Sequence, residues 1–324
     1  MTSPTQHTLA DPGGPTTADH PVPRRAGRLS RYTRQDWAGA GFVAPFLVVF
    51  VFSIVAPLLY AVYLSLFQDR LIGGSFFSGL ENYTRALTDP LLRAGLGRVL
   101  LFLAVQVPIM IGIALFAALA IDSGRLRAKN GFRIALFLPY AVPSVVAALM
   151  WGYIYGDEFG LVGQVFDFFG GTAPDLLSGS WVLASIGNIV TWSFMGYNML
   201  ILYSALRVIP TELYEAAEID GAGALRTAWS IKIPALRPAL LLTVIFSIIG
   251  SFQLFNEPNV LKSLAPTEIT TYYTPNMYAY NLAFNGQQYN YAAAVAIIVG
   301  FITVLVAYAA QRVSNRTEAG GSKR

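Results

Sequence analysis

Cysteine is absent from the 324 residues, so the chain carries no disulfide framework, no thiolate metal site and no thiol nucleophile. Histidine is nearly absent. The only two, His7 and His20, stand in the N-terminal tail, which removes histidine metal centres and Ser-His-Asp chemistry from the rest of the chain. Lysine is rare, and none of Lys129, Lys232, Lys262 and Lys323 follows a glycine, so there is no Walker-type phosphate loop. Charge of either sign is scarce. Charged residues are 12% of the sequence against 55% hydrophobic ones, about half the charged share of a soluble domain. So few charges cannot cover a soluble surface of this size, and the apolar residues fall in long blocks. Both features point to a membrane protein.

What is present has a simple order. Residues 1–35 are rich in Pro, Gly, Thr and Arg and read as a disordered tail, because they bury too little surface to offset their ordering entropy. Six apolar blocks follow, from about Ala38 to Phe67, Ala94 to Ile121, Phe132 to Tyr155, Trp181 to Leu206, Ala239 to Asn256 and Tyr291 to Arg312. Each can supply the ~20 apolar residues that cross a bilayer core. The first block is too long for a signal-peptide core and lacks a small-residue cleavage site. None alternates as a barrel strand would. The expected fold is an all-α polytopic membrane protein of about six transmembrane helices. Its domain runs over 36–316, with a large loop over 207–238 and a short tail over 317–324.

Basic residues give an orientation. Arg24, Arg25, Arg28, Arg31 and Arg34 precede the first block. Arg125, Arg127, Lys129 and Arg133 follow the second, Arg207, Arg226, Lys232 and Arg237 the fourth, and Arg312, Arg316, Lys323 and Arg324 the sixth. These are 17 of the 22 basic residues. The other side keeps Arg70, Arg85, Arg93, Arg98 and Lys262, and the loop after the third block has only acids: Asp157, Glu158, Asp167 and Asp175. The positive-inside rule places both termini in the cytoplasm of a multi-pass cell-membrane protein.

The block interiors hold almost no ionisable group, and Glu257 falls at the outer end of the fifth. An ion-coupled transporter wants carboxylates or histidines in mid-membrane. A rhodopsin-like receptor wants a seventh helix, and an intramembrane metalloprotease wants His-Glu-x-x-His. A passive pathway driven by another component remains.

The loop over 207–238 carries the clearest pattern. Pro210 and Thr211 mark a helix start, with Thr211 placed to cap. Glu212, Glu215 and Glu218 favour its early turns. Gly221 and Gly223 end it, and a second helix fits Ala224 to Ile231, with Pro234 as its stop. By composition alone this is an amphipathic surface pair, with Glu215 as a helix N-terminal charge and Gly221 as a C-cap.

Glu215-Ala216-Ala217, then Gly221, then Ile231 and Ile233-Pro234, resembles the EAA loop of binding-protein-dependent ABC importer permeases. Asp220-Gly221-Ala222 is similar to the carbohydrate-uptake branch. The family prefers Leu where Ile233 stands. The resemblance spans about 38–313. It implies a coupling helix that docks in a groove of a separate ATPase, with Glu215, Ala216, Ala217, Asp220, Gly221, Ile231 and Pro234 as the coupling residues. It also implies a permease subunit that moves a sugar or oligosaccharide inward and is not itself an enzyme. The partners it implies are a second homologous permease, cytoplasmic ATPase subunits, an extracytoplasmic solute-binding protein, the sugar and membrane lipid, with no nucleic acid and no cofactor.

Neutral polar groups beside aromatic rings mark a candidate pathway: Asn188, Trp192, Tyr197 and Asn198 in the fourth block, Gln253 and Asn256 in the fifth. Such groups suit a hydroxyl-rich solute. The same residue types also bond helix to helix or favour interfaces. Two stretches, Phe252 to Pro258 and Thr270 to Phe284, resemble the first of the paired maltose- and glycerol-phosphate-type permeases. Where that type often carries Gly-Gly-Pro, this chain has Lys262-Ser263-Leu264-Ala265-Pro266. The rival readings are a permease for a glycerol phosphodiester or polyamine, which wants charges in the pathway, and a non-transporting membrane scaffold.

Overall fold

The computed structural model describes residues 34–70, 73–124, 126–156 and 160–321. The N-terminal tail up to residue 33, Arg125, Asp157, Glu158, Lys323 and Arg324 lie outside the described residues. Two compact units are present, residues 1–56 and 57–324. In the first unit the chain is helical from Arg34 to Phe50, and a π-widened turn covers Val51–Val55.

Among the described residues, five helices are long and apolar enough to cross a membrane: Gly39–Ser65, Pro90–Asp122, Val182–Leu206, Arg237–Leu261 and Tyr289–Val313. The third block is the exception. It forms two helices, Lys129–Ala141 and Ser144–Tyr155, bent by 99° at Val142–Pro143. The cause is local. Pro143 lacks an amide hydrogen, Pro139 tightens the preceding turn to a 3-10 helix, and the residue before a proline avoids the helical region. Of the six expected spans, four are continuous helices, the fifth has a short break, and the third is a sharply bent pair. Among the described residues one element departs from helix, a short antiparallel hairpin of Phe67–Arg70 and Gly74–Phe77 with Phe67 opposite Phe77.

The second span, Pro90–Asp122, is the spine of the larger unit. Near its start, Leu92 and Val99 pack with Phe252, Tyr278, Tyr291 and Val295. At its far end Ala114 and Ala118 are fully buried against Met199, Leu202 and Leu206 of the fourth span. Small residues let two membrane helices approach closely, which matters where lipid removes the hydrophobic drive to associate. Gly196 serves the same end, since a Cβ there would overlap the carbonyl of Leu136.

The fifth span is interrupted at Gln253–Phe255, between Arg237–Phe252 and Asn256–Leu261. A break inside a membrane frees carbonyls that need new donors. Asn276 donates to Phe252 O at 3.0 Å and Thr274 to Leu254 O at 2.9 Å. The two stretches singled out in the sequence therefore meet in space.

Candidate functional site

The loop forms a helix over Thr211–Ile219. Pro210 takes the cap position and Thr211 is the first helical residue, so no side chain caps the helix and the expectation for Thr211 fails. The C-terminus closes as a Schellman turn: Ala222 N–H bonds Ala217 O at 2.8 Å, Gly221 N–H bonds Glu218 O at 3.0 Å, and Gly221 has φ +71°. Glycine reaches that conformation without the strain a Cβ would add.

Pro234 does not stop the second helix. The chain stays helical from Ala224 to Ala235 by widening to a π turn over Ala228–Lys232, which restarts the helix at Ile233–Ala235 with Pro234 in its first turn. A first-turn proline has no intrahelical bond to lose. Glu215, Ala216, Asp220 and Gly221 are exposed, Ala217, Ile231 and Pro234 half-buried. Beside them Leu213, Ile219, Leu225 and Trp229 are exposed, with Ile219 at 86%. Exposed large apolar side chains on a loop between spans are the kind of surface that marks contact sites.

Lys232 anchors the loop. Its Nζ lies 2.5 Å from Asp122 Oδ2, the two side chains being 14% and 7% exposed. Lys232 also stands 5.1 Å from the Tyr214 ring centroid. Burial and the Asp122 charge raise the Tyr214 phenol above its ordinary value. Sequence reading missed this pair, and only the isolated charge of Asp122 at the end of an apolar block signalled it.

A second feature is a cavity of about 370 Å³ between the second, third, fourth and fifth spans. Tyr197, Asn198, Gln253 and Asn256 line it. Asn188 does not; its amide donates to Tyr155 Oη at 2.7 Å. Trp192 does not either; it packs edge-on to Trp151 at 6.0 Å. Asn188 instead lines a separate cavity of about 450 Å³ beside Gln106 and Thr191. Gln106, Tyr140, Ser144 and Glu257 join the lining. The break in the third span delivers two of these. Tyr140 stacks on Tyr197 at 4.8 Å and 14°, and Ser144 Oγ accepts from Asn256 at 3.0 Å. Irregular backbone at membrane depth survives where it lines a cavity. Gln106 donates to Thr191 Oγ1 at 3.2 Å, and Asn198 to Phe194 O at 3.1 Å. Glu257 corrects the expectation that the pathway lacks charge: it is 8% exposed and lines the cavity. A lone mid-span amide was the available signal for Gln106.

Membrane helices around a mainly apolar cavity that also presents amides, hydroxyls and Glu257, with an exposed helix at one end, fit a membrane transport subunit. Residues 109–318 match the family model "Binding-protein-dependent transport system inner membrane component", and the chain belongs to that family. It is similar to the lactose transport system permease protein LacF of Rhizobium radiobacter, 32% identical over 86% of this chain and 94% of that protein. It is likewise similar to the arabinooligosaccharides transport system permease protein AraP of Bacillus subtilis, 29% identical over 93% and 97%. A chain of a bacterial ABC transporter involved in import of the acidic polysaccharide alginate superposes with a TM-score of 0.77 at 18% identity, covering 87% of this chain and 96% of that one. A chain of the bacterial alginate transporter in complex with alginate pentasaccharide-bound periplasmic protein gives 0.79 at 18%, covering 90% and 98%. Both structures share the fold.

Proposed function

We propose that the chain is one membrane-spanning permease subunit of an ABC importer that moves a neutral sugar or oligosaccharide into the cytoplasm. Residues 36–316 form the permease, and both termini are cytoplasmic. A homologous second permease completes the pathway, an extracytoplasmic binding protein delivers the solute, and separate ATPase subunits dock on the loop over 207–238. Glu215, Ala216, Ala217, Asp220, Gly221, Ile231 and Pro234 form the coupling surface toward the ATPase. ATP binding shifts the population between inward- and outward-open states. The sugar-importing relatives support this solute class.

The observation that carries the reading is the cavity. Amides of Gln106, Asn198, Gln253 and Asn256 supply both donors and acceptors, and the Tyr140–Tyr197 stack offers a flat face. Glu257 favours a second reading, a polyamine. Uptake of labelled lactose and of labelled spermidine into vesicles bearing the complete importer separates the two. Sugar uptake that falls with Gln253→Leu is the expected result, and spermidine uptake alone rejects it. Reporters test orientation: one fused after Arg316 is expected inside, one inserted near Phe168 outside, and reversal of either sinks the topology.

A further inference from the structure

The second span has 33 residues, about 50 Å of helix. The loop is tied to its Asp122 end. At the opposite end, near Asp89, lies a separate cavity of about 300 Å³ lined by polar residues and the Tyr291 ring. Five carboxamides face it: Gln68, Asn82, Gln287, Gln288 and Asn290. Asp69 and Arg85 bring one charge of each sign, so the site is neutral.

Several of these groups are already held. Asn82 donates to Ser65 O at 2.9 Å and Phe67 O at 2.8 Å, and accepts from Gln68 at 3.2 Å. Arg85 donates to Gln288 Oε1 at 3.3 Å and lies 3.9 Å over the Tyr291 ring. Asn290 is different. It is 6% exposed, yet its amide makes no hydrogen bond among the described residues. Its polar atoms are reached from the cavity rather than sealed in protein, so the amide is free to bond a ligand there. Next to it, Gln287 holds φ +53°, the one positive φ of a non-glycine among the described residues. Backbone of that kind persists where the surroundings impose it, and it recurs at binding sites.

We propose that this cavity binds a neutral, hydroxyl-rich ring at the face of the subunit opposite the loop. Carboxamides complement hydroxyls because each offers a donor and an acceptor. Asp69 adds an acceptor and Arg85 a set of donors, and with one charge of each sign the site carries no net charge to single out an anion or a cation. The ring can belong to a free sugar or to the headgroup of an uncharged glycolipid. The free-sugar case rests on the transport reading above and adds an outer resting place for the cargo, distinct from the mid-span cavity.

The test uses the complete importer in lipid nanodiscs and reads backbone hydrogen exchange at 286–291. One arm adds free lactose to nanodiscs without glycolipid. The other uses nanodiscs containing monogalactosyl diacylglycerol and no free sugar. Protection is expected in at least one arm, and the arm that gives it identifies the source. Asn290→Ala and Gln68→Ala are each expected to weaken binding roughly threefold to tenfold, with unchanged melting temperature. Asn198→Leu, in the other cavity, is expected to leave this protection intact. Absence of protection in both arms overturns the proposal, as does protection unaltered by the two outer variants or abolished by Asn198→Leu. A wild-type complex that imports lactose without such protection sinks this site alone. One that imports no sugar sinks the transport reading.

Discussion

The two ends of the second span carry the same residue, aspartate, and use it in opposite ways. Asp89 sits at the helix N-cap, where the macrodipole favours an anion. It accepts from the Leu91 amide at 2.8 Å and from the hydroxyls of Tyr278 and Tyr291 at 2.6 Å each. Burial opposes its charge, but the bonds from Tyr278, Tyr291, Leu91 and Leu92 outweigh it and hold the carboxyl below the ordinary aspartate value. Asp122 is the last residue of the same helix, where the dipole disfavours an anion, and Lys232 compensates. One end is closed by the bundle's own tyrosines. The other is closed by a loop that leaves Leu213, Ile219, Leu225 and Trp229 exposed. The first end is thus satisfied within the subunit, while the second keeps an exposed apolar surface, the surface that the proposed function assigns to a partner.

The largest expected effect is at the open end. Gly221→Leu abolishes uptake and co-purification of the ATPase while leaving membrane insertion intact. No neighbouring atom lies within 4 Å of a Cβ there, so inside the subunit the damage is backbone strain, about 1–2 kcal/mol. Gly221→Asn sharpens the point, because Asn tolerates the left-handed turn. If it too loses the ATPase, the partner approaches the turn closely; full association would mean the turn geometry alone matters. Glu215→Lys is expected to weaken association more mildly, and normal association would argue against a basic groove.

Next comes the buried pair. Asp122→Leu or Lys232→Met alone leaves a charge unpaired and is expected to cost about 3 kcal/mol, read as a lowered melting temperature in detergent, while the double variant recovers most of it. A double variant as unstable as either single one would break the ion-pair account. At the closed end, Asp89→Asn weakens two tyrosine bonds. It is expected to cost about 1–2 kcal/mol, with ATPase co-purification unchanged. Loss of the ATPase would erase the distinction between the ends.

The smallest effect is pH dependence. Asp89 has a lowered pKa, so its contribution is full above about pH 4 and is lost as pH falls through the folded value. Tyr278 is pushed up to about 12, by burial first and the Asp89 bond second. Its contribution is therefore full below about pH 10 and lost as pH rises toward about 12. Asp89→Asn is expected to flatten the acid limb of the melting profile. An unchanged limb would assign it to other carboxylates.

The spans were legible because apolar length is a one-dimensional signal, and the glycine turn because Gly221 stands at a fixed offset from Glu215. The break at Pro143 was visible as a proline but not as a bend, since membrane helices also carry prolines within them, as Pro108 does. Asn188 and Trp192 belong to the residue types that line pathways, but only packing reveals that they face Tyr155 and Trp151. The pairing of Asp122 with Lys232 joins residues far apart in sequence, and no periodicity encodes it.

The length of the second span has a mechanical consequence. About 50 Å of helix exceeds a hydrocarbon layer of about 30 Å by about 20 Å. A rod pivoting at its middle is a lever. Tilting it by about 10° carries each end about 4 Å, in opposite directions, by the geometry of a 50 Å helix. A push on Lys232 is thereby a pull at Asp89, and the tyrosines there would register a stroke delivered at the far side of the bilayer.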